Sequence, residues 1–197
     1  DVVNFDGAGG GMCYIYNVSY YGAVTGLEMG MNLDNVDGCL AESDNFITVI
    51  RNEALGGTLA GGPYEFCAVD GIADNIPAGA VTVSGNQGET SQWVVTDDQR
   101  NILGLPPSPD VVNFDGAGGG MCFIYNVSYY GTVTGLEMGM NLDNVDGCLS
   151  ESDNFITVVR NQPNGGTLST DDETTICVDG TPDPIEVIVD GAEGTNA

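Results

Sequence analysis

The stretch MCYIYNVSYY, residues 12–21, alternates strictly: Tyr14, Tyr16, Val18 and Tyr20 share one side, and Cys13, Ile15, Asn17 and Ser19 share the other. A period of two is the signature of an extended strand, whose successive side chains point to opposite faces. Working outward, FITVIR at residues 46–51 is rich in β-branched residues, which favour strands because their rotamers are restricted in helices. Residues 80–83, 93–96 and 111–114 read the same way. Glycine punctuates these runs, and no segment sustains a 3.6-residue period. The expected class is all-β, with about seven short strands per unit arranged as a two-sheet sandwich.

The chain repeats itself. Residues 1–52 return as residues 110–161, an offset of 109, with differences only at Tyr14/Phe123, Ala23/Thr132, Ala41/Ser150 and Ile50/Val159. Gly56-Gly57-Thr58-Leu59 returns as Gly165-Gly166-Thr167-Leu168. A strand-like run ends at each Arg-Asn and a Gly-Gly turn signal follows, which phases the units. On that phase residues 1–53 are the rear half of one repeat, 54–162 a complete repeat and 163–197 the front of the next. Half-domains bury too little to stand alone. The chain is then either a slice of a longer array or a subunit whose rear half docks with the front of another copy. In the second case the equivalent of residues 93–109 is supplied by neither end.

Charge narrows the partners. There are 29 acidic residues against Arg51, Arg100 and Arg160, giving a net charge of -26, with no Lys and no His. Phosphate backbones require clustered cations, so nucleic acid is excluded, as are anionic membrane surfaces. No apolar run is long enough to span a bilayer, so no membrane insertion is expected. Without histidine the commonest general base and metal ligand are missing, and no residue stands out as catalytic. A non-enzymatic role is expected.

The remaining motifs carry structural readings beside sharper ones. The glycine-rich loop at residues 6–11 has no following helix and no lysine, and reads as a tight strand connection rather than a phosphate cradle. Cys13, Cys39, Cys67, Cys122, Cys148 and Cys177, three per unit, contain no C-x-x-C pair, which points to disulfides in an oxidising compartment rather than zinc. Cys122–Cys148, with its copy Cys13–Cys39, and Cys67–Cys122 are the alternatives. The first closes a loop that contributes about 3.5 kcal/mol in the chain-entropy model. Either leaves one odd cysteine per unit, as a buried thiol or an inter-subunit cross-link. The acidic turns offer Asp34, Asp37, Asp143, Asp146, Asp70 and Asp74 as calcium ligands, although none has EF-hand spacing and Asp, Asn and Gly dominate ordinary turns. No cofactor is otherwise required. Asn17-Val18-Ser19 and Asn126-Val127-Ser128 match the glycosylation triplet but fall inside strands.

Several segments together resemble a known repeat: residues 165–172 leading to Thr175-Ile176-Cys177-Val178-Asp179-Gly180, Ser91-Gln92-Trp93-Val94-Val95-Thr96-Asp97, residues 101–106, residues 113–118 and residues 156–161. They are similar to the tandem immunoglobulin-like repeats of large secreted surface proteins of the Bacteroidetes type. The resemblance covers essentially the whole chain. It implies immunoglobulin-like β-sandwiches in long extracellular arrays with a scaffolding or adhesive role, and it carries over no catalytic residue.

The expectation is a secreted or cell-surface stalk or filament built by end-to-end stacking of units, with other copies of the chain as partners through head-to-tail or strand-donating contacts. The joint segments at residues 51–57 and 160–166 and the odd cysteines would then do the work. The alternative is an adhesin gripping surface glycans through the loops at residues 22–45 and 131–154, with Met29 and Met31.

Overall fold

The computed structural model describes residues 2–176, 180 and 182–194. The protein is predominantly β, with short 3-10 turns and no α-helix among the described residues. It divides into two compact units, Asp1–Glu53 and Ala54–Ala197.

The first unit holds β1 (Gly11–Ile15), β2 (Val18–Thr25), β3 (Asp37–Glu42) and β4 (Ile47–Arg51). β1 pairs antiparallel with β4, and β2 with β3.

The second unit begins with β5 (Thr58–Ala60), β6 (Tyr64–Cys67), β7 (Thr82–Ser84), β8 (Thr90–Thr96) and β9 (Ile102–Gly104). It continues with β10 (Gly120–Thr134), β11 (Asp146–Glu151) and β12 (Ile156–Asn161). These build a six-stranded sheet in the order β6-β12-β10-β8-β9, with β11 also on β10, while β5 and β7 form a separate antiparallel pair. Only β6 runs parallel to its neighbour, β12. The unit also holds β13 (Thr167–Ser169) and β14 (Ile188–Asp190), an antiparallel pair.

β10 is the centre of the sheet, and the alternation of its sequence explains why. Cys122 and Ile124 enter one core cluster with Leu59, Ile76, Val81, Val95, Phe114, Ile156 and Val158. Tyr125 and Val127 enter another with Val94, Ile102 and Leu142. Both faces of the sheet are therefore covered. The β5–β7 pair contributes Leu59 and Val83 to the first cluster, and the loop after β10 contributes Leu136, Leu142 and Val145 to the second. The observed arrangement is thus one broad sheet with a small two-stranded lid on one face and a loop on the other.

The two copies of the repeated sequence differ in one strand. In the second unit β10 is continuous, whereas its counterpart in the first unit is broken at Tyr16 and Asn17 between β1 and β2. β8 accounts for the difference. It pairs with Phe123 through Tyr129, spanning the equivalent position and holding the backbone extended. β10 bends at its far end, where the register to β11 shifts between Tyr130 and Thr134 and Gly131 adopts a φ of +65°.

Candidate interaction surface

The polar contacts beneath the β5–β7 pair join the front of the repeat to its rear. The Asn126 Nδ2 amide donates to the Gly56 carbonyl at 2.8 Å and to Ser128 Oγ at 3.1 Å, and its Oδ1 accepts from Ser91 Oγ at 2.6 Å. Asn154 grips Leu59 with both ends of its amide: Leu59 N donates to Oδ1 at 2.7 Å, and Nδ2 donates to the Leu59 carbonyl at 2.9 Å. Thr58 Oγ1 donates to Asp153 Oδ2 at 3.0 Å, and the Asp153 amide donates to the Gly57 carbonyl at 2.8 Å. Approach here is so close that a Cβ on Gly56 would lie 1.9 Å from the Glu151 carbonyl carbon and oxygen. Asn126 and Ser128 are fully buried, and a buried amide in this position must be satisfied.

The first unit carries the same rear-half residues. Ile47 is 63% exposed where its copy Ile156 is 4% exposed. Asn17 is exposed where its copy Asn126 is buried, whereas Asp44 and Asn45 are exposed as their copies Asp153 and Asn154 are. The sequence joins the rear half of a repeat to a front half but does not single out Asn126 or Asn154, because a strand pattern carries no sign of which amide is bonded across the fold. The buried Asn126 is an internal latch.

A second set of contacts centres on Arg100. Its Nε lies 2.7 Å from Asp143 Oδ1, its Nη2 2.6 Å from Glu151 Oε2, and its guanidinium carbon 5.0 Å from the Tyr125 ring centroid. Partial burial works against the charge, but the Glu151 and Asp143 carboxylates outweigh it and raise the Arg100 pKa. Asp143, one of the candidate calcium ligands, is thus ion-paired to an arginine. Asp146 opens β11, and Asp34 and Asp37 are exposed in the first unit.

Asp70 and Asp74 do come together, and Asp115 joins them. Asp74 Oδ2 is closed off from solvent without a hydrogen-bond partner. Burial, then repulsion from Asp70 and Asp115, raises the Asp74 pKa above its ordinary 3.8. Among the described residues, no group of three or more His, Cys, Asp or Glu side chains forms a metal-binding arrangement. The folded state therefore holds the Asp74 proton more tightly than the unfolded chain does. The stability this confers is complete below the unfolded pKa and is lost as pH rises through the raised native value. Asp74→Asn should accordingly raise the melting temperature in chelator-containing buffer at about pH 7 and give no gain at about pH 3. Thermal melts at the two pH values check both signs.

The cysteine pairings expected from spacing are not made. Cys122 faces Val158, whereas Cys148 faces Tyr130, eight residues further along β10, or about 26 Å at the usual strand rise. Cys67 lies on β6, two strands across from Cys122, or about 10 Å laterally. A disulfide needs Cα atoms within about 7 Å. Cys13, Cys39, Cys67 and Cys122 are free thiols, and Cys177 lies outside the described residues. Cys122 is buried in the core, which raises its pKa against the opposing influence of Arg160. Spacing misled here because equal loop lengths say nothing about where along a long strand each residue falls.

The methionines of the candidate glycan-binding loops, Met29 and Met31 with their copies Met138 and Met140, are all exposed. No protein-family model, curated protein or solved structure matches the chain.

Proposed function

We propose that this is a secreted, non-enzymatic structural protein whose immunoglobulin-like units, with a period of 109 residues, stack end to end into an extracellular stalk or filament. One observation carries the reading: residues 1–52 return as residues 110–161 with four differences, so the chain is built from near-identical units. A constant joint between like units generates a rod or a helix. The net charge of -26 makes assembly depend on screening, so the medium must be saline. Electron microscopy of the purified protein in high salt should show fibres with a regular axial repeat. Isolated particles at every salt concentration would overturn the proposal.

The exposed methionines at equivalent loop positions favour a second reading, an adhesin for surface glycans. Glycan-array binding by a monomeric preparation would support that reading instead.

A further inference from the structure

A cleft of about 380 Å³ opens in the second unit between β9 and the segment that leads into β10. We propose that it binds a small, neutral, apolar molecule carrying one hydrogen-bond acceptor.

The floor of the cleft belongs to the core. Val95, Phe114 and Cys122 line it, and they are 4%, 3% and 2% exposed. The opening is therefore a recess in the core rather than a groove on the surface, and its volume falls in the ordinary range for small-molecule sites, about 300–1,000 Å³. Leu105 and Pro106 form one wall, and Val112 and Asn113 the other. Both walls are fastened. Gln92 Nε2 donates to the Pro106 carbonyl at 2.9 Å, Asn75 Nδ2 donates to the Val112 carbonyl at 2.9 Å, and the Phe114 amide donates to the Asp74 carbonyl at 2.9 Å. A recess held open in this way loses little entropy when it is filled.

Gly104 leaves the room. It pairs with Val95 across β8 and β9, so the two residues share a face of the sheet, and it lines the cleft. Its backbone lies outside the left-handed region, and a Cβ there would meet only Pro106 Cδ, at 4.0 Å. Neither turn geometry nor crowding calls for glycine. The register of β8 and β9 shifts between Val95 and Thr96, but a bulge demands glycine only at positive φ. Glycine weakens a strand, and where the backbone does not need it, it marks the close approach of a ligand.

The lining sets the ligand's chemistry. No residue lining the cleft is charged at neutral pH, since burial raises the pKa of the Cys122 thiol and keeps it protonated. An anion would lose its hydration among apolar side chains and face a chain of net charge -26. A cation would find no carboxylate among the lining residues. Asn113 Oδ1 accepts from the Asp74 amide at 2.9 Å and the Asp115 amide at 3.1 Å, so Nδ2 is the end it can offer, as a donor.

Methyl-resolved NMR of the full chain titrated with acetylnaphthalene, a neutral bicyclic ketone, tests the site. The Val95, Leu105 and Val112 methyl signals should shift saturably. Naphthoate has the same rings with a carboxylate in place of the ketone, and it should bind at least about tenfold more weakly because its charge must be buried. Gly104→Leu puts a side chain into the cleft and should abolish the shifts while leaving the melting temperature unchanged or higher. Gly104→Ala, the milder filling, should weaken binding about fourfold, the worth of one methylene. An absence of saturable shifts at these methyls, equal affinity for naphthoate, or binding that is the same in the wild type and both variants would overturn the proposal. Shifts that follow protein concentration without the ketone would also overturn it, by assigning the cleft to a second copy.

Discussion

Gly56→Ala is expected to destabilise the second unit by about 3 kcal/mol or more, lowering its melting temperature by roughly 6–12 °C, while the same change at Gly165 leaves the melt in place. The cause is backbone rather than side-chain crowding. The new methyl would sit 1.9 Å from the Glu151 carbonyl and 2.3 Å from the Ser152 nitrogen. Flexible side chains can swing away from a new methyl, but a strand end cannot. Relief requires either the β11–β12 connection or the β5 segment to retreat. Retreat of β5 lengthens the bonds from Asn126 to the Gly56 carbonyl and from the Asp153 amide to the Gly57 carbonyl, and it lifts Leu59 out of the core. Gly165 has the same flanking sequence and open space around it, so it controls for helix, strand and turn propensity. Differential scanning calorimetry of the two variants in low salt measures the contrast directly. Equal effects at both positions would mean that β5 does not lie where described.

How much of this was legible beforehand depends on the kind of information each feature needs. The alternation at residues 12–21 and in its copy was readable because it is local, but only the copy, β10, is one strand; residues 12–21 divide at Tyr16 and Asn17 into β1 and β2. Tyr125 and Val127 do face one cluster, and Cys122 and Ile124 the other. The duplication itself was also readable. Burial was not, and the repeat shows why. Residues 1–52 and 110–161 differ at four positions, none of them Ile47/Ile156 or Asn17/Asn126, yet these pairs have very different exposure. What covers a residue is supplied from elsewhere in the fold, so its own neighbours in sequence cannot reveal it. The parallel β6–β12 pairing and the Arg100–Glu151 ion pair are long-range in the same sense. The pairings Cys122–Cys148, Cys13–Cys39 and Cys67–Cys122 are not made for a related reason, since chain separation does not fix position along a strand.

Asn126→Ala is the second large effect expected, about 3–4 kcal/mol, set against a change within about 0.5 kcal/mol for Asn17→Ala. Asn126 is wholly buried, and three groups depend on its amide: the Gly56 carbonyl, Ser128 Oγ and Ser91 Oγ. Truncation leaves buried polar groups unmet and opens a small void beside β5, and both costs fall on the folded state alone. Asn17 keeps an amide contact with Ser19 Oγ at 3.3 Å but is exposed, so water replaces whatever it loses. Because Asn126 and Gly56 share one hydrogen bond, the double variant should lose less than the two single losses together, and a double-mutant cycle would read that coupling. Asn17→Ala should be silent in the thermal melt at any salt concentration, because its amide is already hydrated. An Asn17 variant that melts early would show that the first unit uses this residue internally despite its exposure.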